Sequence, residues 1–132
     1  MGHQPFAVAQ SHIDFLREKG VFPYSLQAMR TENVSLLFRR LLAQHRNTAI
    51  FWGIDMDVLQ MADAPGVSAP NPVGMSAEEL CQIVILAGQD VRTRILEFTE
   101  VNPAYDIDNR TSRLVAVAIW EFLNQRAKNR NF

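Results

Sequence analysis

The sequence predicts an α/β fold with a largely parallel sheet. Three observations carry that expectation. Segments with helical spacing of apolar residues alternate along the chain with apolar runs too short for helices. The run 48–54 is apolar on both faces, as a strand is when helices cover its sheet on each side. Both candidate strands finish on carboxylates: Asp55 and Asp57 follow one, and Glu100 ends the other.

Each element has a local reason. Over 9–19, Ile13, Phe15 and Leu16 suggest a short helix that Gly20 stops. Residues 21–24 are a brief extended stretch, and Pro23 assigns it to an edge or irregular position. Over 32–44, Val34, Leu37, Phe38, Leu41 and Leu42 follow the helical period, with Thr31 as the expected N-cap. The strand 48–54 leads into a long loop, 59–75, containing "APGVSAPNPVG", whose prolines and glycines disfavour regular structure. Loops of that length in a compact domain tend to carry function. Ser76 and Glu79 form a capping box that opens a helix to about Gly88, with Leu80, Ile83, Val84 and Ala87 inward. A second strand spans 94–101. Asn102 and Pro103 halt it, and a turn-rich connector follows, in which Arg110 and Arg113 are expected to pair with Asp106 and Asp108. Asp108 or Asn109 is expected to cap a final helix, 110–128, that buries Leu114, Val117, Ala118, Trp120 and Phe122. Met56 and Met61 read as gap-fillers, and Trp52 and Trp120 as core or interface.

Composition narrows the function classes. The chain has 132 residues, 48% hydrophobic and 20% charged, which fits one soluble domain over 1–132. A net charge of −1 with scattered basic residues gives no electrostatic footprint for nucleic acid or an anionic membrane. The basic tail 126–130 reads as a solvated helix end. Cys81 stands alone, so an internal disulfide and a zinc–thiolate cluster are both excluded. No apolar run approaches a membrane span, and the first residues lack the pattern of a signal peptide. The chain is expected in the cytoplasm.

The acids at the strand ends are the candidate site. Open parallel sheets bind ligands beyond the carboxyl ends of their strands. If the two strands are neighbours, their terminal carboxylates converge. Residues i and i+2 of a strand share a face, which would let Asp55 and Asp57 reach one point. Anions packed together are costly unless a cation neutralises them, and a divalent metal suits carboxylate oxygen. The alternative stays open on spacing alone, because Asp-X-Asp after a strand also caps turns or meets solvent. A nucleotide-binding fold is disfavoured, since there is no glycine-rich phosphate loop.

The blocks "GIDMDVL", "APGVSAP" and "EFTEVNPAYDIDNRTSRLVA" resemble the carboxyl-terminal part of the ureohydrolase superfamily, which includes arginase, agmatinase and formimidoylglutamase. "PGVSAP" and the opening "GHQPF" are most similar to the formimidoylglutamase branch. The resemblance runs over nearly the whole chain. It implies a three-layer α/β/α domain around a parallel sheet, of which this chain is the carboxyl-terminal half. It also implies two manganese ions that activate a hydroxide for hydrolysis of a non-peptide C–N bond in a small-molecule substrate. For the formimidoylglutamase branch, that reaction turns N-formimidoyl-L-glutamate into L-glutamate and formamide. By the same resemblance Asp55 and Asp57 are metal ligands and Glu100 lies against the cationic end of the substrate. Residues 64–70, with Ser68, hold the substrate's far end.

The departures carry equal weight. The Gly-Gly-His and Asp-X-His-X-Asp metal motifs of the superfamily are absent here. His3, His12 and His45 stand in no such motif, and His12 and His45 read as surface residues of helices. Two carboxylates without histidine make a weak transition-metal site. Half a parallel sheet also leaves an open edge. The chain is therefore expected to be a fragment, to pair with another copy or with a separate amino-terminal half, or to have reorganised. Two functions compete: an incomplete manganese hydrolase, and a non-catalytic module that oligomerises through that edge.

Overall fold

A computed structural model describes residues 1–129. In chain order it has α1 (Gln10–Glu18), α2 (Leu26–Glu32), α3 (Val34–Gln44), β1 (Ile50–Asp55), α4 (Ala77–Gln89), β2 (Thr93–Thr99) and α5 (Arg110–Lys128). Short 3-10 turns lie at Pro5–Ala7, Met56–Val58, Pro103–Tyr105 and Ile107–Asn109. β1 and β2 pair in parallel, from Ile50 opposite Thr93 to Asp55 opposite Thr99. Parallel neighbours need a long crossover, and α4 supplies it. The α/β architecture with a parallel sheet is as expected.

Helix α2 was not foreseen in the sequence. Ser25 caps it, its hydroxyl oxygen accepting the Ala28 N–H at 3.2 Å. Thr31 consequently does not cap the following helix. It lies inside α2 and donates its hydroxyl to the Gln27 carbonyl at 3.0 Å. The cap of α3 is Asn33, whose Oδ1 accepts from the Ser35 and Leu36 amides at 3.0 and 3.3 Å. Asn33 sits at φ 75°, in the left-handed region that asparagine tolerates better than threonine. The capping box of α4 forms as expected. Ser76 accepts from the Glu79 amide at 3.2 Å, while the Glu79 carboxylate accepts from the Ser76 amide at 2.8 Å. Arg30 reaches across from α2 and grips both oxygens of Glu79 at 2.8 Å, tying two helices at one cap.

One core joins the helices to the sheet. It holds Leu26, Met29, Leu37, Trp52, Ile54, Leu80, Ile83, Val84 and Ala87, with Phe38 packed on Trp52 at 5.6 Å between ring centroids. Burial along β1 alternates, however. Trp52 and Ile54 are buried, whereas Phe51 and Gly53 face outward. The expectation of two covered faces therefore fails for this chain. Its helices cover one face and leave Phe51 and its register partner Ile95 more than half exposed.

Helix α5 corrects a second expectation. It packs along α4, with Leu114, Val115, Ala118 and Phe122 turned to the core. Val117 and Trp120 lie on its outer side, exposed. The two helices approach closely at Gly88, where a Cβ would fall 2.6 Å from the Phe122 carbonyl oxygen. Such a tight contact buries a narrow stripe and leaves the flanking apolar residues outside. Of the basic tail, Arg126 binds the carbonyls of Asp90 and Thr93 at 3.0 and 3.1 Å, and Arg130 lies outside the described residues. No helix among the described residues is long and apolar enough to cross a membrane.

Candidate active-site remnant at the strand ends

The site is built from the ends of both strands and the loop 59–75. β1 ends at Asp55, one residue before the buried Met56. Asp57 lies in the Met56–Val58 3-10 turn, so the shared-face argument for an extended strand does not hold. A turn brings the two acids together instead. Oδ1 of Asp55 accepts the Asp57 N–H at 2.9 Å, an Asx-type turn that ends the strand.

Asp57 in turn reaches the loop. Its Oδ1 accepts the Ala69 N–H at 3.1 Å. The neighbouring residue is tied to the other strand, since the Ser68 N–H donates to the Glu100 carbonyl at 3.1 Å. Val67 and Val101 form an antiparallel bridge, and the Asn102 N–H donates to the Gly66 carbonyl at 2.9 Å. The segment 66–69 thus runs from Glu100 back to Asp57, bound to the β2 end by backbone hydrogen bonds and to the β1 end through the Asp57 carboxylate. Asp55, Asp57, Ser68 and Glu100 lie at the end of the sheet where β1 and β2 finish. Glu100 follows β2 at φ 64° with its side chain exposed.

The loop has no helix or strand of its own, as its prolines foretold, yet it is pinned throughout. Gln60 and Met61 donate their amides to Met75 and Asn71, and Met75 donates back to Val58. A Cβ at Gly74 would lie 2.3 Å from the Leu59–Gln60 backbone, so a larger residue cannot sit there. Met56 fills the core below the acids, whereas Met61, expected to do the same, is half exposed on the loop. Asp63 anchors the far side, its Oδ2 accepting from Gln60 Nε2 and from the Ala77 amide, each at 2.8 Å.

Asp106 is the residue the sequence reading undervalued. Neither Asp108 nor Asn109 caps α5; both take positive φ in the preceding turn. Asp106 accepts from the Thr111 amide at 2.8 Å and from the Ser112 amide and hydroxyl at 2.9 and 2.6 Å. Burial pushes its carboxyl upward, but these donors from Ser112 and Thr111 outweigh that and hold it at about 2. Its carboxylate is thereby occupied, and the expected pairs with Arg110 and Arg113 do not form among the described residues. The signal available was the Asp106-to-Ser112 spacing, which a cap search limited to neighbouring positions passes over. Asp106 also packs against Gly66, where a Cβ would fall 2.5 Å from the Asp106 Cα. The Gly66 amide itself donates to the buried Thr111 hydroxyl at 2.8 Å.

The donor set decides how much of a metal site is present. Asp55 and Asp57 each commit one oxygen to a backbone amide, which leaves Oδ2 of each for a hard cation. No group of three or more His, Cys, Asp or Glu side chains that could hold an ion occurs among the described residues. His3 bridges to Ser25, His12 is exposed on α1, and His45 follows the end of α3; none joins such a group among the described residues. Two carboxylates fit part of a manganese shell and not the whole of it.

A parallel α/β fragment with acids and a pinned loop at its strand ends defines the class, and comparison with known proteins gives the family. The arginase family profile matches residues 6–124. The formimidoylglutamase of Staphylococcus aureus (strain MRSA252) is 32% identical over 117 residues, covering 86% of this chain and 37% of that protein. The crystal structure of formimidoylglutamase from Bacillus subtilis superposes with a TM-score of 0.88 at 27% identity, over 95% of this chain and 40% of that one. The Trypanosoma cruzi formiminoglutamase solved with Mn2+ shares the fold, with a TM-score of 0.87 at 23% identity over 43% of its chain. This chain belongs to the arginase family. It spans about two-fifths of the length of these relatives.

Proposed function

We propose that this chain supplies the carboxyl-terminal part of a formimidoylglutamase-like hydrolase acting on a non-peptide C–N bond. The observation that carries this reading is the segment 66–69, which joins Asp57 to Glu100 through the Ala69 and Ser68 amides. Both bonds are donated by loop amides, one to the Asp57 carboxylate and one to the Glu100 carbonyl. In this reading Asp55 and Asp57 hold manganese, two ions when the site is complete, through the carboxylate oxygens left over from the turn. The ion, when bound, supplies Lewis acidity for hydrolysis. Glu100 offers an exposed carboxylate to the cationic formimino group, and Ser68 helps to hold the opposite end of the substrate. In the overall reaction, water adds oxygen to the formimino carbon and the C–N bond to the glutamate nitrogen breaks. The products are formamide and L-glutamate. The 32% identity to a formimidoylglutamase favours this substrate over the guanidino substrates of arginase or agmatinase.

The chain by itself is incomplete in this reading, since the histidine-bearing motifs lie outside it. A soluble, cytoplasmic enzyme acting on a small molecule is the setting that fits. The test is an assay of the purified chain with Mn2+ and N-formimidoyl-L-glutamate, alone and together with the missing part of a relative. No turnover is expected alone, and turnover abolished by Asp55→Ala is expected when the two parts combine. Robust turnover by the isolated chain would overturn the claim of incompleteness. A combined preparation that binds manganese through Asp55 but hydrolyses nothing would favour the second reading, a non-catalytic interaction module.

A further inference from the structure

Thr111 is fully buried at the second position of α5. The start of the helix does not need its hydroxyl as an acceptor, because the Thr111 and Ser112 amides both donate to Asp106. The hydroxyl oxygen instead accepts the Gly66 N–H at 2.8 Å, across 45 residues of sequence. Packing alone asks only for a residue of this shape, and valine has it without a polar atom to satisfy. Gly66 and Val67 are buried, whereas Ser68, Ala69 and Pro70 form an exposed tip. The Thr111 bond therefore lies at the foot of that tip. The Gly66 carbonyl accepts from the Asn102 N–H at 2.9 Å, so α5 holds one backbone group of Gly66 and the chain after β2 holds the other. Beyond the tip, Gln4 and Arg30 donate to the Val73 and Gly74 carbonyls, but those bonds are only part-buried.

We propose that Thr111 is a positioning residue for the candidate site, its hydroxyl setting where Ser68 and Ala69 meet Glu100 and Asp57. This role rests on the hydrolase reading above, which assigns Ser68 to the far end of the substrate. Without the hydroxyl, the Gly66 amide is left buried and unpaired. The segment can relieve this by lifting toward water, and no residue of the tip is buried to resist it. Ser68 and Ala69 then loosen their bonds to the Glu100 carbonyl and the Asp57 carboxylate, each 3.1 Å long. The two acids stay joined, since the Asp57 amide still donates to Asp55. The loss therefore falls on substrate holding and not on the turn that bears the acids. In kinetic terms KM rises while kcat changes little.

The test follows amide hydrogen exchange by NMR in the whole chain, with the buried Val84 of α4 reporting global opening. Thr111→Val is expected to speed exchange at Ser68 and Ala69 at least about tenfold beyond any change at Val84. Thr111→Ser, which keeps the hydroxyl, should restore both amides. Thr111→Ala removes the same hydroxyl with less bulk and carries the test if the valine variant does not fold. Ser112→Ala takes one donor from Asp106 and none from the loop, so it should leave Ser68 and Ala69 unchanged. Unchanged Ser68 and Ala69 in Thr111→Val, or equal acceleration in Ser112→Ala, would overturn the proposal. In the combined preparation described above, Thr111→Val is expected to raise KM about tenfold with kcat within about threefold. Faster loop exchange with no hydrolysis, even by the unsubstituted chain, supports the positioning role and counts against the hydrolase reading. Hydrolysis whose KM is indifferent to Thr111→Val overturns the positioning role and leaves the hydrolase reading standing.

Discussion

The carboxylate of Asp57 accepts the Ala69 amide at 3.1 Å, so one of the two candidate metal ligands also holds the candidate substrate loop. Asp57→Ala removes that acceptor while leaving the Ser68–Glu100 bond in place. We expect exchange at the Ala69 amide to accelerate about tenfold, with a loss of global stability near 1 kcal/mol or below, because the bond is exposed. Hydrogen exchange with mass spectrometry checks the first figure and thermal melting the second. An unchanged Ala69 would mean that the loop is held by its other bridges alone.

Thr93 is buried and doubly used, accepting from the Trp52 indole N–H at 3.1 Å and donating to the Ala87 carbonyl at 2.7 Å. Thr93→Val keeps the shape and strands both partners. A buried polar group without a partner costs about 1–3 kcal/mol, so a loss in that range is expected by urea denaturation. Thr93→Ser, which keeps the hydroxyl, should recover most of it.

Gly88→Ala sets two effects against each other. Replacing a helix-interior glycine gains up to about 1 kcal/mol of propensity. The new Cβ would lie 2.6 Å from the Phe122 carbonyl, a backbone atom that moves only with α5. Overpacking of this kind costs about 1–3 kcal/mol, so a net loss is expected, seen as a lower melting temperature.

Asp106 sets an acid-sensitive contribution to stability. Its native carboxyl titrates at about 2, below the ordinary value near 3.9 for aspartate. A depressed native value means that its contribution is full above roughly pH 4 and lost as pH falls toward 2. Asp106→Asn should therefore flatten the decline of melting temperature between those limits. At neutral pH it should cost about 1 kcal/mol or below, because asparagine keeps one acceptor oxygen and ranks with aspartate as a cap. A decline equally steep in the variant would assign the acid sensitivity to other groups.

The legible parts of this chain were those with local causes. The capping box Ser76–Glu79 and the inward face Leu80, Ile83, Val84 and Ala87 follow from spacing within one helix, and they form as read. The strands were legible as short apolar runs, and their acids as their endings. Local causes also explain two misses. Ser25 and Asn33 are good caps in plain view, but α2 has only 7 residues, too few for a helical period to stand out.

By itself the sequence determined the alternation of helix and strand and the acids at the strand ends. Each depends on residues close together in the chain, where periodicity, caps and turn residues act directly. Only the tertiary structure decided that Asp57 turns away from the strand to hold Ala69 and that Asp106 is spent on α5. It also placed Trp120 outside and left one face of β1 bare. Those outcomes depend on which surfaces meet across long separations, and on how much of a sheet one chain supplies. An apolar strand is written the same way whether its second face is covered by helices or left bare.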